Sequence, residues 1–139
     1  MRRNDRGHAM ALEAAIILPA LVLFVALVLV LARDALAQQA IGGAASQGAR
    51  AASLERSSAA ARESAESVAG SALRDAGVLC AQQSVTVDAS GLRAPLGTPS
   101  SVSVTVTCVV SHDVNLPGFS RQQRWSETRT SPVDTYRGR

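Results

Sequence analysis

The chain contains no lysine, and only four of its 139 residues are aromatic: Phe24, Phe119, Trp125 and Tyr136. So few large rings leave little from which to build a bulky core and remove the stacking platforms that single-stranded nucleic acid requires. Arginine supplies all the strong positive charge. It is mixed with aspartate and glutamate throughout, and the net charge of +3 comes largely from Arg2, Arg3 and Arg6. A nucleic-acid partner is therefore not expected, because its footprint is a clustered basic surface. The only histidines, His8 and His112, lie on opposite sides of a long apolar run and cannot form one site. There is no Gly-rich phosphate loop, no G-x-S-x-G elbow and no H-E-x-x-H pair. Asp113 next to His112 reads as solvated polar groups in a turn. No catalytic residue, metal ligand or cofactor is expected, and the chain reads as a non-enzyme.

Residues 14–32 are nineteen consecutive uncharged residues, almost all apolar. At about 1.5 Å per residue a helix of that length reaches about 28 Å, close to the hydrocarbon thickness of a bilayer. The arginines that precede it outweigh Arg33 and Asp34 at its far end, so the expected orientation keeps the N-terminus in the cytoplasm. The organisation expected is a cytoplasmic leader over 1–8, a transmembrane helix over 9–32 in contact with lipid, and an extracytoplasmic remainder. Glu13 and Pro19 interrupt the apolar run. A carboxylate at depth costs about 2–3 kcal/mol, which favours a compensating partner.

From 33 to 77 the chain is Ala-rich and free of proline, which favours a single long helix ending near Ala76. Leu54, Ala61, Ala65, Val68 and Ala72 are spaced to form one apolar stripe on it. Ala44, Gly48 and Ala52 form a small-xxx-small series that would admit a second backbone, while Gly42 and Gly43 would loosen the helix. Gly77 reads as a left-handed stop. Beyond Cys80 the period changes to two. Val85 and Val87 oppose Thr86, and over 101–111 Val102, Val104, Val106, Cys108 and Val110 alternate with Ser103, Thr105 and Thr107, as a half-buried strand does. An exposed loop over 89–100, with Gly91, Pro95, Gly97 and Pro99, would join these two strands as an antiparallel pair. Asn115, Pro117 and Gly118 mark a turn, a third strand is placed at about 122–130 with Trp125 over the helix or the valine face, and 132–139 reads as an extended tail. The fold class is α+β: a transmembrane helix continuing into a long Ala-rich helix, then a small antiparallel sheet of about three strands over 78–131. Cys80 and Cys108, an even pair in an oxidising compartment, favour a disulfide over zinc.

The segment RGHAMALEAAIILPALVLFVALVLVLAR resembles the opening of TadE-like proteins, minor pilins or pseudopilins of tight-adherence pili, whose pattern is close to R-G-x-A-x-(V/L)-E-x-A-(I/L)-x-x-P-x-L. The resemblance extends to the Ala-rich helix around residues 48–52, to VSVTVTCVV with its cysteine, and to the ending SPVDTYR. It implies prepilin peptidase cleavage between Gly7 and His8. It also implies a role for Glu13 in pairing with the amino group of a neighbouring subunit, with other pilin or pseudopilin subunits and pilus assembly proteins as partners. Two other readings stand beside it. One is a secreted small binding protein cleaved after Ala37, within the small-residue triplet 35–37. The other is a single-pass anchored adaptor unrelated to pili.

Overall fold

Alanine and leucine dominate the first half of the chain and β-branched residues the second, and the secondary structure divides accordingly. The computed structural model describes residues 5–111 and 122–136, with side chains from residue 13 onward. His112, Asp113 and the turn expected at Asn115, Pro117 and Gly118 lie outside the described residues. The elements are α1 (Asp5–Leu54), α2 (Ser58–Asp75), β1 (Cys80–Asp88), β2 (Ser100–Ser111) and β3 (Gln122–Val133), with one 3-10 turn at Ser90–Arg93. The chain is α+β and forms two units, Met1–Leu36 and Ala37–Arg139.

In the first unit, α1 carries its apolar side chains into the open. Ile16 is 69% exposed and Phe24 66%. The helix continues past Pro19.

In the second unit, two helices cover one face of an antiparallel sheet of order β1-β2-β3. The helical region is not the single helix that composition favours. It breaks after Leu54, and Ser57, in an extended conformation, restarts it as an N-cap whose hydroxyl accepts a hydrogen bond from the Ala60 amide at 3.1 Å. The apolar spacing therefore does not carry across the break. Leu54 is 77% exposed, whereas Ala61, Ala65, Ala69 and Leu73 are buried. Gly42 and Gly43 leave α1 continuous. The helical stop does fall where expected: the Val78 amide donates to the Leu73 carbonyl and the Gly77 amide to that of Arg74, with Gly77 at φ +70°. This is the left-handed termination that glycine adopts without steric cost.

The two helices meet through their smallest residues. Ala44, Ala45, Ala49 and Ala52 of α1 and Ala61, Ala65 and Ala69 of α2 are buried together. At Gly48 a Cβ atom would lie 3.3 Å from the Ala65 carbonyl oxygen and 3.5 Å from both Ala69 Cβ and Val104 Cγ1. The small-residue series thus admits the backbone of α2. The larger core side chains are Ile41, Leu73, Val102, Val104 and Val106.

Sheet register places the inward face. Val104 pairs with Val87 and Arg129, Val106 with Val85 and Glu127, and Cys108 with Gln83 and Trp125. Trp125 is half-buried and packs against the core on the valine face. In the continuous register of β1 the odd positions share this face, so Cys80 would point outward. A bulge between Cys80 and Gln82 shifts the register by one and pairs Cys80 with Val110, turning its side chain inward.

Two further expectations are corrected. The connection over 89–100 is not wholly exposed, because Ala89 is buried and Leu92 packs on the core. Gly91 there lies so close to the Ser101 backbone that a Cβ atom would collide with it. Nor does the third strand stop at 130. It runs to Val133, which is buried, and Pro132 sits within it, as an edge strand tolerates. Asp134 then accepts from the Tyr136 amide at 2.9 Å, and the Thr135 carbonyl accepts from the Gly97 amide at 3.0 Å.

Candidate functional site

Gly7 and His8 fall within the helical backbone of α1, and Glu13 lies on the same helix as an exposed residue. Glu13 opens the stretch Glu13–Leu54, which is long and apolar enough to cross a membrane and lies near the N-terminus. Twelve large apolar side chains from Ile16 to Leu31 are exposed. At about 1.5–3 kcal/mol for each fully buried side chain, scaled to the roughly half of each side chain that is exposed, their transfer from water to a hydrocarbon phase would be favourable by an amount on the order of 10–20 kcal/mol. Against that, one carboxylate at the end of the run costs about 2–3 kcal/mol, which the apolar transfer outweighs. The same stretch contains Ala35, Leu36 and Ala37 in unbroken helix.

The expected pairing of Cys80 with Cys108 is present: the two form a disulfide between β1 and β2, with Cα atoms 5.4 Å apart. The bond lies on the inward face at the end of the sheet where β1 begins, and Cys108 is the cross-strand neighbour of Trp125.

The outward face of the sheet is a field of hydroxyls. Register aligns Ser84, Thr107 and Ser126 in one row and Thr86, Thr105 and Thr128 in the next. Thr105 and Thr128 share a hydrogen bond of 2.8 Å, and Thr107 and Ser126 one of 3.0 Å. Asp88, at the end of β1, accepts from the Ser90 amide at 3.0 Å, and that bond holds its carboxyl below the usual aspartate range. On the inward side, Glu127 and Arg129 form an ion pair of 3.0 Å beside Gly42, where a Cβ would come within 3.1 Å of the guanidinium. Ser53 and Ser131 share a hydrogen bond of 3.0 Å that ties the end of α1 to β3.

Among the described residues, no three His, Cys, Asp or Glu side chains come together in a way that could hold a metal. A shallow notch between Pro95, Leu96, Thr98 and Asp134, Thr135 is far smaller than a pocket for a metabolite. The structure thus places Gly7, His8 and Glu13 in one unit and the disulfide in the other. Sequence reasoning missed the tie between Ser53 and Ser131 and the ion pair facing Gly42. The sequence carried no signal for the placing of either against α1, since Ser53 and Gly42 lie more than seventy residues from the β3 positions they meet, although Glu127 and Arg129 themselves are same-face neighbours within β3. No family model, curated protein or solved structure matches this chain.

Proposed function

We propose that this chain is a membrane-anchored, non-enzymatic structural or assembly subunit of the TadE-like kind, serving a tight-adherence pilus system. The observation that carries the reading is the opening pattern, in which Arg6-Gly7, Glu13 and Pro19 lead into an exposed apolar helix. Support also comes from the disulfide, which belongs to an oxidising compartment and so agrees with an extracytoplasmic second unit. On this reading the part of α1 before residue 37 stays in the lipid with the N-terminus in the cytoplasm. Glu13 is answered by a positive group of a neighbouring subunit, an opposite charge being a sufficient reason for a carboxylate at that depth.

Coexpression with a prepilin peptidase tests the processing step. The intact mass should fall by that of residues 1–7, and Gly7→Leu should abolish the change. A mature protein that keeps its full mass in the membrane would make the chain a resident accessory subunit and not a processed pilin. A mature N-terminus at Gln38 in the medium would instead establish the secreted binding protein.

A further inference from the structure

Because β2 is antiparallel to both of its neighbours, the two outer strands β1 and β3 run parallel to each other. Among the described residues neither has a second strand partner. A bare edge of this kind is a template for another chain. The flanks that carry these edges differ in charge. On one side, the α1 segment from residue 37 and β3 hold Arg50, Arg124 and Arg129 against the single acid Glu127. On the other, α2 and β1 hold Glu63, Glu66, Asp75 and Asp88 against Arg62 and Arg74. Arg50 and Arg124 are exposed, as are Glu63, Glu66 and Asp88. One flank is thus net basic and the other net acidic.

From these edges and charges we propose that the Ala37–Arg139 unit associates side by side with a second copy of this chain, the α1/β3 flank of one copy against the α2/β1 flank of the next. The inference rests on the anchored reading above. A sideways displacement keeps all copies of the unit in the same orientation. It lays β3 parallel to β1 of the neighbour and continues the hydroxyl rows, Thr128 coming beside the neighbour's equivalent of Thr86. Such a contact is heterologous: each copy uses two different surfaces, so further copies add to either end. Confinement to a bilayer raises the effective concentration and favours weak lateral contacts of this kind. Main-chain pairing supplies the adhesion, and the opposed charges select basic against acidic flank.

The test is made with the full chain in neutral phosphatidylcholine vesicles, labelled at its C-terminus and counted by single-molecule photobleaching after flotation. Two charge-reversed forms are compared with the wild type: Arg50→Glu with Arg124→Glu, which makes both flanks acidic, and Glu63→Lys with Glu66→Lys, which makes both basic. The wild type should give clusters. Each reversed form alone should lose association by about tenfold or more, through conversion of attraction to repulsion at two positions. An equimolar mixture of the two forms should recover it, because basic again meets acidic at every junction. That recovery also shows that both variants are folded. Wild type that floats yet remains monomeric, or reversed forms that cluster as it does, would overturn the inference while leaving the anchor in place. Wild type that fails to float would overturn the anchored reading, and the inference with it.

Discussion

Gly43→Ala and Gly48→Ala make the same chemical change five residues apart on one helix, and their surroundings demand different outcomes. Each replaces the least helix-favouring residue after proline by the most favouring, a gain of about 0.5–1 kcal/mol in an exposed helix interior. At Gly43 nothing lies within 4 Å of the new methyl, so the full gain should appear. At Gly48 the methyl meets the Ala65 carbonyl oxygen at 3.3 Å with Ala69 and Val104 close behind, so α2 must retreat and the gain is offset. Gly48→Val adds two further methyls against the same backbone and should cost about 1–3 kcal/mol, as overpacking does. For a unit of about 100 residues, 1 kcal/mol corresponds to about 4–8 °C in Tm. Thermal unfolding in detergent micelles, followed by Trp125 fluorescence with the disulfide intact, should therefore rank Gly43→Ala above wild type, Gly48→Ala near or below it, and Gly48→Val lowest. Gly43→Val provides the control for β-branching and should stay near wild type. Equal effects at the two positions would refute the close approach of α2 to Gly48.

Replacing both Cys80 and Cys108 by Ala releases a loop of 28 residues and should lower stability by about 3.5 kcal/mol in the chain-entropy model, measured by denaturant unfolding of wild type and variant without reductant. Ser57→Ala removes the cap of α2 and should cost about 1 kcal/mol by the same assay, whereas Ser57→Asp should retain it. Asp88 has a lowered pKa in the folded state, so it adds stability above the ordinary aspartate range, and that contribution disappears as pH falls through its folded value. Carboxyl chemical shifts should place its titration below that of an unstructured aspartate, and Asp88→Asn should flatten the acid limb of the stability profile.

Much of this architecture is legible in local patterns. The alternation of valine with serine and threonine over β2 identifies both faces of the central strand, and Gly77 marks a helix end because its left-handed conformation is a local property. The apolar run is equally plain. Features that depend on distant partners are not. The break at residues 55–57 sits in a uniformly Ala-rich stretch where the only local cue is Ser57, and what makes it necessary is the return of α2 onto Gly48. Pro132 reads as the end of a strand, yet the strand lies at an edge and continues to a buried Val133. The inward turn of Cys80 requires a bulge that no periodicity reveals. At the candidate site, Gly7, His8, Glu13 and Pro19 are legible as a linear pattern because the proposed processing and membrane insertion would both read the chain locally. On the proposed reading the partner that answers Glu13 would belong to another molecule, which no pattern within this chain encodes.

The proposal that the first part of α1, residues 14–36, is a permanent stem in lipid is tested most directly by the intact mass and N-terminal sequence of the protein recovered from an alkali-washed membrane fraction of cells expressing the whole chain. The account predicts membrane-retained protein that still contains residues 14–36, beginning at Met1 or at His8. Soluble protein beginning at Gln38, with none left in the membrane, would contradict it.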